Sequence, residues 1–363
     1  PKWDRGMKPE ELEESETRMF REWLQRIYKD HPRDRLNFFE HNLEVWRQVW
    51  RCLERSSVAV LVLDARCPLF HFPEALYRHI ASDLGMGVVV LLNKCDLVPP
   101  EAVAAWVHYF GQRFEGVEVV PFHVPKSSSG VVGQPCVASL IEAIKRVSFT
   151  HPEMGACRAS DWFGADAEPA AGRGGDDALT VCLVGDPNMG KSSVMNSIFG
   201  RKVVSSSRTP GHTKHIQTHF LTKSVCFCDS PGIVPPKLDI PKSYQALFGS
   251  YSIAQLREPY SAIRNIAEAS KPSLQDIYRL PLPEEGFFSP INLCESLAVK
   301  SGMTSKGGRP DSYRAANMLL RDALSGGGKV CLCYGPPGWK VQDLPLVVPE
   351  EAEGDDEEGG ETE

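Results

Sequence analysis

The stretch that most constrains how this chain can fold is Gly185-Asp186-Pro187-Asn188-Met189-Gly190-Lys191-Ser192, set behind the apolar run 179–184 and ahead of 193–199. A buried strand, a glycine-bounded loop and a helix starting directly after it make a phosphate cradle. Backbone N–H groups converge there, and the helix N-terminus favours negative charge. Gly185 and Gly190 let the backbone approach phosphate, and Lys191 reaches the β and γ groups. The Ser192 hydroxyl is placed to ligate the Mg²⁺ that a nucleoside triphosphate brings with it. Asp186, Pro187, Asn188, Met189 and Ser193 complete the expected nucleotide-contact set. The plainer reading, a glycine-rich turn between strand and helix, loses ground as further motifs appear.

Asn93-Lys94-Cys95-Asp96 stands at the end of another apolar run, where open α/β sheets place their ligands. Its chemistry selects guanine. The Asp96 carboxylate can accept from the ring N1–H and the exocyclic amine, whereas adenine offers an unprotonated N1. The stem of Lys94 can cover the base plane, and Asn93 can tie this loop to the phosphate loop. Asp229-Ser230-Pro231-Gly232 ends a third apolar run. Asp229 can hold Mg²⁺ through water, and the Gly232 N–H can meet the γ-phosphate. Between them lies Thr209-Pro210-Gly211-His212-Thr213, in the interval where a mobile threonine should reach the metal; Thr213 is favoured over Thr209. For either threonine the plainer reading is a Pro-Gly turn with incidental hydroxyls.

Around these motifs the chain alternates regularly between strand-like and helix-like segments. Strands are expected at 58–64, 88–92, 117–124, 179–184, 215–223 and 224–228, with helices at 73–83, 99–112 and 137–147. Such alternation implies a doubly wound, mostly parallel six-stranded α/β sheet. Residues 1–56 read as a helical extension, with helices at 10–28 and, capped by Asp34, from 36 through 55. Trp46, Arg47, Trp50 and Arg51 interleave on the second helix; the apolar stripe reads as a docking face, with a nucleic-acid surface as the alternative. The sheet domain is expected at 57–235, with a Gly, Ala, Asp and Pro-rich internal linker at 148–178. Residues 236–345 read as a helical domain with a short strand at 330–334, and 346–363 as an acidic disordered tail. The net charge is −7, and the nine acids of 349–363 account for it: without them the body carries +2.

Eleven cysteines in no disulfide spacing fit free thiols in an intracellular, reducing compartment, cytoplasm or nucleus. Cys226/Cys228 and Cys331/Cys333 fit core packing better than a zinc site, whose ligands usually stand further apart. No apolar run is long enough for a membrane span. No signal peptide precedes the first helix, and a start at Pro1 suggests a fragment or a processed product.

The order of the motifs is unusual, because the guanine-reading motif precedes the phosphate loop by about ninety residues, the reverse of small GTPases. In that order, and in Phe39 to Arg51, Asp64-Ala65-Arg66, Asn93 to Asp96, Gly185 to Ser193, Arg208 to Lys214 and Asp229 to Gly232, the chain resembles the circularly permuted GTPases of the nucleostemin-related family. Phe72 to Tyr77, Glu258-Pro259-Tyr260 and Tyr313 to Asn317 point to one branch of it. The resemblance implies a permuted P-loop GTPase fold, GTP and GDP as ligands with Mg²⁺, and a pre-ribosomal particle or rRNA as partner. Two departures stand out. The fifth GTPase motif falls near His123-Val124 or at Ser127 to Ser129, and Ile233 occupies the place of the glutamine that orients the attacking water. The resemblance assigns catalysis to another group: K⁺ held by Asn188, with His212 and His215 as alternatives. Lys191, Asn188, Thr213 and Gly232 are thus the expected catalytic set, and Ser192, Thr213 and Asp229 the expected metal set.

Three functions fit this chain to different degrees: a Mg²⁺-dependent GTPase switch, a GTP-gated scaffold with little hydrolysis, and an adenine-nucleotide protein that leaves Asn93 to Asp96 unexplained. The permutation adds one expectation. The segment leaving Gly232 through 233–236 passes straight into 237–338, untied at its far end, making that region a nucleotide-dependent effector surface.

Overall fold

The structure is a computed structural model that describes residues 6–124, 135–151, 153–163, 178–205, 216–281, 289–325 and 328–339. Among the described residues eight strands form: β1 (Val58–Asp64), β2 (Gly87–Asn93), β3 (Glu118–Pro121), β4 (Ser148–His151), β5 (Gly155–Arg158), β6 (Leu179–Val184), β7 (Gln217–Phe220) and β8 (Val225–Asp229). Six of them make one sheet in the order β3-β2-β1-β6-β8-β7, parallel except for β7 against β8. This is the doubly wound α/β sheet that the alternation predicts.

The unbroken apolar runs of β1, β2, β6 and β8 follow from burial on both faces. Alternation within β1 divides the two cores. Val58, Val60 and Val62 face one, with Leu140 and Ile144 of the helix Pro135–Arg146 and Val194, Met195 and Ile198 of the helix Lys191–Phe199. Ala59, Leu61 and Leu63 face the other, with Cys52 and Leu53 of the helix Leu43–Glu54 and Trp106 and Phe110 of the helix Pro100–Arg113. From β1 the chain steps outward through β2 and β3 and then returns to β6 on β1's other side. The strand order reverses between β1 and β6, so the crevice at their C-terminal ends is where this topology places a ligand.

Four expectations need correction. The helix read from 36 begins at Leu43, where the Asn42 side chain accepts from Glu44 N at 2.9 Å; Asp34 is not its cap. Residues 35–40 instead pair with 234–239, through Asn37 N to Lys237 O and Glu40 N to Val234 O, both 3.0 Å, and Asp239 N to Arg35 O at 2.7 Å. The segment 148–178 is not wholly linker. Its first part is the antiparallel hairpin β4–β5 and a 3-10 turn Ala159–Trp162, pinned because Phe149, Ala159 and Trp162 pack on the first core. Residues 330–334 form no strand: Tyr334 N donates to Arg66 O and Trp106 Nε1 to Tyr334 O, both at 2.8 Å. The helix expected over 73–83 runs as α-helix Glu74–Arg78 and continues as π-helix His79–Asp83.

The N-terminal aromatics pack inward, Trp23 lying 5.1 Å from Trp46 between centroids, while Arg47 pairs with Glu16 at 2.7 Å. Beyond the sheet, the helices Tyr260–Ala269, Pro290–Lys300 and Ser312–Ser325 enclose a third core of Ile263, Ile266, Leu297, Leu319 and Leu320. All eleven cysteines are free thiols. Among the described residues, no helix is long and apolar enough to cross a membrane, and no group of three or more His, Cys, Asp or Glu is arranged to hold a metal.

Candidate nucleotide site

The loop after β6 is shaped by close approach of backbone to backbone. A Cβ on Gly185 would stand 2.4 Å from the Val62 carbonyl oxygen, and one on Gly190 would stand 2.4 Å from Asn93 Nδ2. Gly190 also takes φ +95°, which L side chains rarely adopt. Gly232 lies against the same loop, its missing Cβ 2.8 Å from Pro187 Cα, and Ile233 N donates to Gly185 O at 3.2 Å. Asn188 holds φ +64° and donates Nδ2 to Gly249 O at 3.0 Å.

Lys191 opens the helix Lys191–Phe199 and is buried. Its ammonium donates to Gly185 O at 2.9 Å and Asp186 O at 2.7 Å. Burial pushes its pKa down to about 8 against the pull of Asp229 and Asp186. Ser192 Oγ donates to Asp229 Oδ2 at 2.8 Å, while Asp229 Oδ1 is buried with no hydrogen-bond partner among the described residues. Burial raises the Asp229 pKa. An orphaned carboxylate oxygen beside a serine hydroxyl at a helix start is a donor set that suits a hard divalent cation. Ser193 is half-buried on the same first turn. Thr213, with Thr209, His212 and His215, lies outside the described residues, as do Ser127 to Ser129 and the acidic tail.

The guanine-type motif stands two strands across, at the end of β2. In register, Asn93 sits opposite Asp64. Asn93 Nδ2 donates to Met189 O at 2.7 Å, so the tie between the two loops is made, and Asn93 Oδ1 is buried without a partner among the described residues. Lys94 takes φ +66° and sends Nζ to Asp64 Oδ2 at 2.7 Å. Asp96 is exposed on the 3-10 turn Cys95–Leu97, which Cys95 N anchors by donating to Phe122 O at 3.0 Å.

One sequence expectation is narrowed here and another changes. Asp186 keeps its place in the loop, but its carboxylate is buried against His71 Nδ1 at 3.1 Å and Ser250 Oγ at 3.0 Å, which leaves its backbone N–H as the group to meet nucleotide. It holds the loop to segments 115 and 64 residues away in sequence. The stretch after Gly232 is also not untied. Beyond the Ile233 and Glu40 bonds, Asn37 Nδ2 donates to Pro235 O at 3.0 Å and Lys237 N to Asn37 Oδ1 at 2.7 Å. Ile233 is 2% exposed and packs with Val184 and Cys228, so its side chain faces core and not a reacting water. His71, Gln245, Gly249 and Ser250 carry no sign of these roles in their local spacing. Asp64 and Arg66 were visible only as part of a resemblance.

Comparison with known proteins gives the chain's relatives. The matching family description is "50S ribosome-binding GTPase", over residues 180–275. "Guanine nucleotide-binding protein-like 1" of Macaca fascicularis is 37% identical over 94% of this chain and 65% of that protein, and the Homo sapiens protein is 36% identical over the same shares. "GTPase LSG1-2" of Arabidopsis thaliana is 29% identical over 96% of this chain and 63% of its own length. The chain thus spans less than two thirds of the length of these relatives. A solved GDP-bound YlqF superposes with a TM-score of 0.49 at 22% identity, covering 80% of this chain and 99% of that one, too weak a likeness to add to the topology above. With the guanine-type motif on β2 ahead of the phosphate loop after β6, and with similarity to these GTPases along nearly its whole length, the chain has the motif order of a circularly permuted GTPase.

Proposed function

We propose that this chain binds guanine nucleotide and hydrolyses GTP to GDP and phosphate as a Mg²⁺-dependent switch. The observation that carries the reading is the Asn93 Nδ2 to Met189 O hydrogen bond of 2.7 Å. It joins the loop that presents Asp96 to the loop that presents Lys191, so one ligand with a guanine base and a polyphosphate spans both. Asp96 accepts from the guanine N1–H and amine, and the stem of Lys94 lies on the base. The loop 185–190 cradles the phosphates, and Lys191 leaves its two carbonyl partners for the β and γ groups. Ser192 and Asp229, with Thr213, would hold Mg²⁺, which supplies charge neutralisation at the phosphate oxygens.

Because Ile233 is buried, orienting the attacking water falls to another group. The Gly249 carbonyl can only accept, so the Asn188 Nδ2 must face it and Oδ1 is turned the other way. That oxygen suits a monovalent cation such as K⁺ beside the phosphates. The partner proposed is a large-subunit ribosomal particle, on the description of the family matched at 180–275. The buried Ile233 also favours a second reading, a GTP-gated scaffold with little turnover.

Single-turnover phosphate release separates the two. The switch reading expects faster release in K⁺ than in Na⁺, whereas a negligible rate in both supports the scaffold. Co-sedimentation with ribosomal subunits in a non-hydrolysable GTP analogue, but not in GDP, is expected on either reading. Co-sedimentation that ignores nucleotide would contradict both.

A further inference from the structure

We propose that Asp64 and Arg66 link the guanine-reading loop to the C-terminal end of the helix Ser312–Ser325, so that guanine binding and docking of the C-terminal helices are one coupled equilibrium. The inference rests on the guanine-nucleotide reading above.

Asp64 ends β1 directly beside Asn93, and its side chain is 1% exposed. Oδ1 accepts from Arg66 N at 3.1 Å and Arg66 Nε at 3.0 Å, and Oδ2 from Arg66 Nη2 at 2.8 Å and Lys94 Nζ at 2.7 Å. On its other side the Arg66 guanidinium donates Nη1 to Ala323 O at 2.9 Å and Nη2 to Leu324 O at 3.4 Å. Those carbonyls belong to the last turn of a helix, where no intrahelical N–H remains to bond them and where the helix dipole is negative. One planar, rigid group therefore sets the spacing between the helix end and Asp64.

Lys94 depends on this arrangement. It sits at φ +66°, a conformation its side chain does not favour, and the ion pair with Asp64 fixes its head group. Burial opposes ionisation of Asp64, but the charges of Arg66 and Lys94 hold its carboxyl well below the usual range. The triad stays charged at neutral pH. A shift of the helix end moves Arg66, Arg66 moves Asp64, and Asp64 moves the lysine that lies on the base. By linkage, base binding must in turn favour the docked helix.

The first test uses the unaltered chain: hydrogen exchange at amides 318–325 with and without Mg·GDP. Protection is expected to rise about threefold or more; a chain that binds GDP with these amides indifferent to it overturns the inference. Lys94→Ala leaves the Asp64–Arg66 pair intact and should abolish that difference. Arg66→Lys keeps the charge but cannot span both partners. It should lower GDP affinity about tenfold, while the ratio of GDP to inosine diphosphate affinity, set by Asp96, stays at the wild-type value. Arg66→Lys with full GDP affinity overturns the proposal, as does a ratio collapsing toward one, which would route the effect through Asp96. If that variant does not fold, the unaltered chain and Lys94→Ala decide. Wild-type chain that binds no GDP defeats the underlying reading, before any substitution is made.

Discussion

The two ends of the nucleotide crevice are built by opposite means. At the phosphate end, backbone lies on backbone: Gly185 against Val62, Gly232 against Pro187, Ile233 N on Gly185 O. At the guanine end, buried charges do the positioning, with Asp64 between Arg66 and Lys94. The first end should fail by size and the second by charge. A cradle for phosphate needs N–H groups at fixed places, which side chains would only obstruct; a loop that covers a base needs a movable side chain held at its tip.

The contrast is tested most severely at Gly185. In Gly185→Ala the new methyl meets a carbonyl of the neighbouring strand, which cannot swing aside. Loss of about 2–4 kcal/mol of stability and loss of nucleotide binding are expected by denaturant titration and fluorescence. A stable variant that binds normally would show that the phosphate end is not limited by size. Lys191→Met, isolating the charge at that end, should abolish triphosphate binding while the chain still unfolds cooperatively.

Asp96→Asn tests the other end. Because Asp96 is exposed, stability should change by less than about 0.5 kcal/mol. GTP affinity should fall about a hundredfold or more, with preference passing to xanthosine triphosphate, whose O2 accepts from the new amide. Equal loss for both nucleotides would make Asp96 a structural residue only.

A smaller effect is expected at Asn188, within the phosphate loop itself. Asn188→Ala should remove the advantage of K⁺ over Na⁺ in single-turnover release, a change of about tenfold, with GDP affinity nearly unchanged. A variant that keeps the K⁺ advantage shifts attention to His212, His215 or a group from the partner.

The smallest effect concerns the bond that fastens the phosphate loop from behind. Burial lowers the His71 pKa below its unfolded value, outweighing the Asp186 carboxylate beside it. The unfolded chain then binds the extra proton, so this contribution to stability is complete above about pH 6.5 and is lost as pH falls below it. His71→Asn keeps a donor near the Nδ1 position without a titrating ring. The melting temperature of the variant should fall less than the wild type's between pH 7.5 and 5.5; parallel curves would contradict the assignment.

The sheet and both ends of the crevice were readable in sequence because each is written in contiguous residues. Strands buried on both faces are unbroken apolar runs, and the phosphate and guanine motifs sit at their ends. What was not readable depends on partners far along the chain. Leu36 and Phe39 fit a helical stripe continuing to Trp50, yet residues 35–40 pair with 234–239, about 200 positions away, and no local pattern records that. For the same reason the segment after Gly232 looked like a lever into the C-terminal helices, when it is tied to the N-terminal arm by Asn37 and Glu40. Nucleotide-dependent changes leaving Gly232 should therefore reach 35–40 as well as 237–270. Asp186 shows the limit most sharply. Its place in the motif suggests ligand contact, and only the approach of His71 and Ser250 reveals that its carboxylate faces the protein.

One ligand, a guanine nucleotide, is proposed to span the two loops joined by Asn93. The most direct test is titration of the purified chain, in Mg²⁺, with a fluorescent GDP displaced by GTP, ATP or pyrophosphate. Displacement by GTP at concentrations about a hundredfold or more below those needed for ATP or pyrophosphate is the predicted result. Equal displacement by ATP and GTP would contradict it, because the phosphate cradle would then be acting without the guanine loop.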